Sequence, residues 1–356
     1  MKTLVAMSGG VDSSAAAFLL TEKGYNVSGA LMKLVESVEH STNTRSCCSL
    51  NDSEDARAVA DKLNIPFYVF NFVTDFEEYV IKKFVDSYIS AQTPNPCIDC
   101  NKYLKFERFL QRAIELEFDT IATGHYAVNE KLGDRYLLKK GKDSSKDQTY
   151  FLYTMTQEQL KRTLFPLGTL NKEEVRLVAE SCGLINASKP DSQDICFAPD
   201  NNYTKFIEEY TGNKSLVGDF ADVEGNIVGK HNGLIHYTIG QRTKLSGLKE
   251  PMYIRSMCSA TNRITICTNE ELYALTVTAD NINFIPFDAV QNTVKVEAKL
   301  RYHHKPAKAE LIQTDSDKIE VRFFEPQRAV TPGQSIVLYD GDYVIGGGRI
   351  TNTEDL

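Results

Sequence analysis

No apolar run in the 356-residue chain approaches the roughly 18 residues that a membrane span requires, so a span is excluded and a cytoplasmic enzyme is expected. Met1 to Met7 runs into Ser8-Gly9-Gly10 before the apolar core of a secretory leader could form. There is no internal repeat, no low-complexity tract and no excess of Gly (21) or Pro (11), which argues against collagen-like and disordered classes. Positive charge is short: 40 Lys and Arg stand against 48 Asp and Glu, a formal −8. A general basic coat for nucleic acid is thereby excluded, and any polyanion must be gripped locally. The Walker pattern is missing, and the C-x-x-C of Cys97 and Cys100 has no second copy to complete a zinc ribbon.

The length suffices for two or three domains, each with its own core. In the first half apolar strands alternate with helices: strand 3–7, helix 13–23, strand 27–32, helix 52–63, strand 67–72, helix 103–116 and strand 120–123. This βαβ series predicts an α/β fold with a doubly wound parallel sheet over 1–205. After about residue 205 the helical patterns give way to short β segments at 217–223, 227–229, 252–259 and 263–267, a small β-rich central domain over 206–274. Strands at 294–301, 309–314, 319–324, 335–339 and 343–350 predict a C-terminal antiparallel β-barrel over 275–356, since closure removes exposed edges.

Between the first strand and the first helix stands Ser8-Gly9-Gly10-Val11-Asp12-Ser13-Ser14. Two glycines let the backbone close round an anion, the helix N-terminus aims N–H groups at it, and the hydroxyls add donors. Such a turn is a pyrophosphate cradle. Asp12 would repel phosphate directly but suits a Mg²⁺ ion bridging the phosphates. The plain alternative is a glycine turn with a Ser/Asp helix cap. The loop resembles that of the PP-loop ATP pyrophosphatases, which adenylate an acceptor oxygen and release pyrophosphate, and which include ligases, amidotransferases and tRNA thiolases.

A second constellation is Thr93-Pro94-Asn95-Pro96-Cys97-Ile98-Asp99-Cys100-Asn101-Lys102, with a further thiol in Ser192-Gln193-Asp194-Ile195-Cys196-Phe197. Cys100 stands just before the helix expected from Tyr103, where the positive helix end and Lys102 would favour thiolate. Half a zinc site, or inert buried thiols, are the plain alternatives.

Together with Gly124-His125-Tyr126, Lys146-Asp147-Gln148-Thr149-Tyr150-Phe151, Arg301-Tyr302 and Pro332-Gly333-Gln334, these segments resemble, in order and over essentially the full chain, the tRNA-specific 2-thiouridylase (MnmA/TrmU) family. The resemblance implies an ATP-dependent sulfurtransferase that replaces the C2 oxygen of the wobble uridine in tRNAs for Lys, Glu and Gln. It implies Cys196 as persulfide carrier and Cys100 as nucleophile, with a cysteine desulfurase or relay protein as sulfur donor. By the same resemblance Ala6, Met7, Ser8, Gly9, Gly10, Val11, Asp12, Ser13, Met32 and Gly124 line the ATP site. Asn95, Pro96, Cys97, His125, Lys146, Asp147, Gln148, Arg301, Tyr302 and Gln334 face tRNA. Many family members carry Asp where this chain has Cys97, so that carboxylate's role cannot be transferred. An alternative by analogy with other thiolases makes Cys97, Cys100 and Cys196 ligands of a 4Fe–4S iron–sulfur cluster. A different class again, a PP-loop ligase or amidotransferase with another acceptor, would use Ser8 to Ser14 but neither Cys100 nor Cys196. The free protein is expected to be monomeric.

Two local basic stretches could hold RNA phosphates. From Lys131 to Lys146, six cations (Lys131, Arg135, Lys139, Lys140, Lys142, Lys146) face two acids (Asp134, Asp143). From Lys295 to Lys308, five (Lys295, Lys299, Arg301, Lys305, Lys308) face Glu297. Each alone could be a solvated face. A wobble base would have to leave its stack to reach the thiols. His125 is either a ligand-facing residue at a strand end or a buried structural histidine. Cys47, Cys48, Cys182, Cys258 and Cys267 receive no role.

Overall fold

The computed structural model describes residues 1–36, 50–190, 195–198, 202–247 and 250–355. Cys47, Cys48 and the Ser192-Gln193-Asp194 part of the cysteine motif lie outside the described residues. The chain divides into two compact units. One holds Met1–Ile81, Pro96–Asn202 and Asp342–Val344, and the other Lys82–Asn95, Tyr203–Gly341 and Ile345–Leu356.

The first unit is built on β1 (Lys2–Ala6), α1 (Val11–Glu22), β2 (Asn26–Lys33), α2 (Leu50–Lys62), β3 (Phe67–Asn71) and β4 (Thr120–Ala122). A hairpin of β5 (Ala127–Leu132) and β6 (Arg135–Lys140) follows, then the short β7 (Thr163–Leu164). The sheet is parallel in the order β3-β2-β1-β4-β7. Because the chain moves outward in one direction through β2 and β3 and in the other through β4, the switch point falls between β1 and β4. That crevice, at the carboxyl ends of the strands, is where such sheets take ligands.

Leu4 and Val5 are wholly buried, as expected of a central strand covered on both faces. The first helix carries Ala15-Ala16-Ala17, all fully buried. These small side chains let α1 lie close to two layers at once. Ala17 and Leu20 join Val5, Val27 and Val59, while Ala15 and Ala16 join Tyr126, Leu167 and Val175.

The helix expected at 103–116 begins earlier and is not uniform. It runs as α-helix over Pro96–Asp99, π-helix over Cys100–Arg108 and α-helix over Phe109–Glu115. Pro96 supplies the start, since its missing N–H costs nothing at a first helical position. Residues 127–140, read above only for charge, are the β5–β6 hairpin.

In the second unit β8 (Gly218–Ala221), β9 (Ile227–His231), β10 (Tyr253–Cys258) and β11 (Arg263–Cys267) form a small sheet in the order β10-β11-β8-β9, mixed because β8 and β11 run parallel. Phe220, Ile254, Ile264 and Ile266 are its core. Six further strands form the barrel: β12 (Tyr273–Phe284), β13 (Val294–Lys299), β14 (Ala307–Asp315), β15 (Lys318–Arg328), β16 (Ser335–Asp340) and β17 (Tyr343–Asp355). Their order is β12-β15-β14-β13-β16-β17, and pairing of β12 with β17 closes the ring. The opening strand β12 escaped the sequence reading because Thr276, Thr278, Asp280 and Asn281 dilute its apolar alternation and its pairings carry register shifts.

The barrel interior is filled by Val277, Ala309, Leu311, Val321, Ile336 and Leu338, each fully buried. Leu338→Ala is expected to destabilise the second unit by about 2–5 kcal/mol through lost transfer energy and a residual cavity. Denaturant unfolding of the variant against the parent measures this.

Candidate active site

The Ser8-Gly9-Gly10 turn leaves the carboxyl end of β1 at the switch point and enters α1, whose N-terminus has no side-chain cap. Gly9 has φ +74, and a Cβ there would lie 2.3 Å from the Asp52 carbonyl oxygen. A Cβ on Gly124, after β4, would meet the backbone of Asp12 and Ser13 at 2.8 Å. The two strand-end loops therefore touch through bare backbone. The hydroxyls face inward: Ser13 and Ser14 donate to the Gly10 carbonyl at 3.0 Å, and the Ser8 amide donates to Ser13 Oγ at 3.2 Å. Within the same unit Ala6 and Met7 are buried, and the Met7 amide bonds the Ala30 carbonyl of β2, two residues before Met32.

Asp12 is held firmly. Its Oδ1 accepts from Tyr126 Oη at 2.8 Å and Lys172 Nζ at 2.7 Å, and its Oδ2 from Lys172 Nζ at 2.9 Å. Tyr126 is itself fixed by Gln148, whose Oε1 accepts the Tyr126 amide at 3.0 Å. Of the Lys146-Asp147-Gln148 segment, Gln148 thus supports the loop, and Asp147 is a buried carboxylate bonded by the Thr149 hydroxyl at 2.9 Å.

Below the turn, Asn186 Nδ2 donates to the Gly9 carbonyl at 2.9 Å and to Ser14 Oγ at 2.8 Å. Lys189 Nζ reaches Asp52 at 2.6 Å, Asp55 at 2.7 Å and the Gly9 carbonyl at 3.4 Å. Burial alone would lower the Lys189 ammonium, but the two carboxylates raise it above the ordinary lysine value. Tyr126, Lys172, Asn186, Lys189 and Asp52 had no place in the sequence reading of the loop. Their ties Asp12–Tyr126, Asp12–Lys172, Gly9–Asn186 and Asp52–Lys189 each span more than 100 residues of chain, beyond any local pattern.

Cys100 is not at a free helix end. Pro96 is the first helical residue, Cys97 follows it exposed in the first turn, and Cys100 opens the π-helical stretch in a half-buried position. The helix-end argument for a Cys100 thiolate therefore does not hold. π-helical turns recur at functional sites because they re-aim side chains. Here Asn101, almost fully buried, donates Nδ2 to the Cys97 carbonyl at 3.0 Å and bridges the change of helix type.

The two cysteine segments share a support, Val73–Ile81. Phe76 packs edge-on against Phe197, the neighbour of Cys196, with ring centroids 5.7 Å apart. Tyr79 stacks on Tyr103 at 5.2 Å, and Asp75 pairs with Arg108 at 2.9 Å, both partners lying in the π-helical stretch that Cys100 opens. Among the described residues no group of three His, Cys, Asp or Glu is gathered to hold a metal ion. As they stand, Cys97, Cys100 and Cys196 do not form a ligand set for an iron–sulfur cluster.

His125 is 7% exposed, its Nδ1 2.8 Å from Thr123 Oγ1, with its ring between Phe106 and Phe165. Burial first, then Lys105, pushes its pKa well below the usual histidine value. In the second unit Gln334 donates to the carbonyls of Thr93 (2.9 Å) and Pro94 (3.2 Å), so it braces the backbone leading to Asn95. Arg301 and Tyr302 lie in the turn after β13, where Lys299 stands over the Tyr302 ring at 5.5 Å. The basic stretches are less one-sided than their counts suggest. Lys142 pairs with Glu174 at 2.7 Å, and across β13 and β14 Lys295 faces Glu310 while Glu297 faces Lys308.

Three family models match in succession: the tRNA methyl transferase HUP domain over residues 1–200, the tRNA methyl transferase PRC-barrel domain over 204–268 and the aminomethyltransferase beta-barrel domain over 274–350. The tRNA-specific 2-thiouridylase MnmA of Acetivibrio thermocellus is 50% identical, covering 98% of this chain and 99% of its own. That of Caldicellulosiruptor saccharolyticus is 50% identical, with 98% of each chain covered. Among solved structures, a 4-thiouridine synthetase in complex with RNA and bound ATP is similar at 18% identity and a TM-score of 0.37, covering 58% of this chain and 50% of its own.

Two predictions follow from this geometry. Asn101→Ala removes the donor that bridges the helix change, at a cost of about 1–3 kcal/mol, and should alter the alkylation rate of Cys100 by iodoacetamide while leaving that of Cys258 unchanged. Because His125 stays neutral in the folded chain, its effect appears as pH falls below the unfolded value of about 6.5. There the unfolded chain takes up a proton that the folded one refuses, so stability is lost on acidification. His125→Gln should reduce the fall in melting temperature between pH 7.5 and pH 5.5, read by calorimetry as about 1–3 °C less loss.

Proposed function

The chain belongs to the tRNA-specific 2-thiouridylase family, matching members at 50% identity along nearly its whole length, and from that premise we infer that it catalyses ATP-dependent 2-thiolation of the tRNA wobble uridine. The domain models carry the words methyl transferase, but a phosphate-binding turn and a pair of thiol segments serve activation and sulfur transfer. Neither is what methyl transfer needs. The observation that carries the reading is that a single unit holds both: the Ser8-Gly9-Gly10 turn at the switch point, and Cys100 and Cys196 on segments packed against Val73–Ile81.

A uracil C2 carbonyl is amide-like and has no leaving group. Its oxygen attacks the α-phosphorus of ATP, the O–P bond forms, the bond to the β-phosphate breaks and pyrophosphate departs as the N3 proton is lost. The turn amides and the N-terminus of α1 bind the phosphate charge, and bare backbone at Gly9 and Gly124 lets the turn close against Asp52 and lets the second loop reach Asp12 and Ser13. The donor chemistry of Asp12 suits a Mg²⁺ ion, which when bound would offset phosphate charge; for that fit Lys172 must yield the carboxylate. Cys196 carries the sulfane sulfur as a persulfide supplied by a desulfurase or relay protein. Cys100 thiolate attacks Cys196 Sγ, the bond from Sγ to the outer sulfur breaks, hydrosulfide leaves and a Cys100–Cys196 disulfide remains. Hydrosulfide adds at C2, the C–S bond forms and AMP departs with the original oxygen. An external thiol reductant then restores both cysteines.

Residues around Pro96 and Cys97 are the proposed neighbours of the extruded base, whereas the buried His125 fits the structural alternative. Arg301, Tyr302 and the cations of the β5–β6 hairpin are the proposed phosphate contacts. The persulfide route is the one the family resemblance implies, and a 4Fe–4S cluster held by Cys97, Cys100 and Cys196 is the alternative.

Cys100→Ser and Cys196→Ser should each retain tRNA-dependent pyrophosphate release while losing at least ~100-fold in 2-thiouridine formation, measured by nucleoside mass spectrometry. Asp12→Ala should lose pyrophosphate release but still bind tRNA. Wild-type thiolation by either cysteine variant with a protein persulfide donor would remove that thiol from the mechanism. Pyrophosphate release that does not depend on tRNA would favour a ligase acting on another acceptor.

A further inference from the structure

Lys172 is misplaced by every local rule. It is the first residue of the helix Lys172–Ser181, where the helix dipole disfavours a cation, and its side chain is buried. Its position is nevertheless fixed from three directions. A capping box joins Asn171 and Glu174 reciprocally, at 2.9 and 2.7 Å, and the Lys172 amide donates to Asp143 Oδ2 at 3.0 Å. From that anchored backbone the ammonium reaches both oxygens of Asp12, 160 residues away in sequence, and lies 5.8 Å from the centre of the Tyr126 ring. Local conflicts of this kind, held by several supports, mark places where function outweighs stability.

The contact has a chemical consequence. Asp12 is the acid of the phosphate-binding loop, yet Lys172 and Tyr126 occupy both its oxygens. A divalent cation approaching this carboxylate therefore meets the ammonium as a competitor at both oxygens.

We propose that Lys172 is the resident counter-cation of Asp12, and that nucleotide binding exchanges it: the ammonium moves from the carboxylate to the incoming phosphates and leaves Asp12 to the divalent ion. Lys172 thereby keeps the carboxylate neutralised and in place while the loop is empty, and supplies a positive charge to the pyrophosphate once the loop is filled. No covalent step is involved. One charge pair is replaced by two, ammonium with phosphate and metal with carboxylate, so the order of the exchange is set by arrival of the nucleotide. This rests on Ser8 to Ser14 being the ATP phosphate site; failure of the unaltered chain to bind the nucleotide probe would overturn that reading instead, and is told apart by needing no variant.

The probe is an ATP analogue with a methylene bridge between the α and β phosphorus atoms. Its binding is measured by calorimetry in EDTA and at graded Mn²⁺, with Mn²⁺ uptake followed by electron paramagnetic resonance. Lys172→Met should weaken analogue binding in EDTA about tenfold, because a phosphate partner is lost, yet lower the Mn²⁺ needed for half-saturation about threefold, because nothing competes for Asp12. A purely structural lysine would worsen both together. Changes in the same direction, or no change in either, would overturn the proposal. Should Lys172→Met fail to fold by circular dichroism, Lys172→Arg decides: a guanidinium grips a carboxylate at two points, so the Mn²⁺ requirement should rise about threefold, and an unchanged requirement would overturn the exchange.

Discussion

Close approach of backbone to backbone at the switch point is the constraint on which the nucleotide site depends. The turn after β1 meets the turn after β4 with no room for a side chain at Gly124, and meets the Asp52 backbone in the first turn of α2 with none at Gly9. That closeness keeps amide groups, rather than carbons, at the surface where phosphate must lie. Past the turn, α1 meets two layers through the small Ala15, Ala16 and Ala17, with Val11 and Leu20 as its larger buried residues.

Around this fixed turn the structure arranges charge by pairing. Asp12 faces Lys172, and Asp52 and Asp55 face Lys189, while Asn186 and Lys189 both touch the Gly9 carbonyl. Lys189 is only seven residues before Cys196 in the chain. Asn186 and Lys189, shortly before the proposed persulfide carrier, are thus moored to the proposed phosphate turn and its neighbours. Pairing of this kind also limits what a count of cations can say about RNA. Lys142 is engaged by Glu174, and Lys295 and Lys308 face Glu310 and Glu297. The field available to tRNA phosphates is therefore weaker and more local than a sum over sequence windows implies.

What was legible in the chain followed from local chemistry. Alternating apolar segments and the Gly-Gly turn specify a parallel sheet with a glycine turn entering its first helix because period, turn residues and helix start all agree within the first 24 residues. The barrel was legible from strand periodicity, except β12, whose inward Val277 and Ala279 are interleaved with polar residues. The helix boundary at Cys100 was misread because a π-helical stretch has no periodicity of its own in the sequence, and Pro96 as a first helical residue looked like a loop proline. Lys172 and Asn186 were illegible for a simpler reason: their partners are joined by topology alone.

The helix change at Cys100 bears on how two reactive thiols can serve successive steps. A residue at the start of a regular α-helix gains acidity from the dipole but faces wherever the helix axis dictates. A residue at an α-to-π junction loses that field and gains a direction set by the inserted turn. In this chain the exposed Cys97 lies in the first helical turn and Cys100 has the junction, with Asn101 fixing one relative to the other. In the proposed sulfur transfer, a Cys100 thiol aimed at Cys196 Sγ depends more on direction than on acidity, since nucleophilicity falls as the thiol pKa falls. Val73–Ile81, packed through Phe76 toward the Cys196 segment and through Tyr79 toward the Cys100 helix, supplies the common frame that such aim requires.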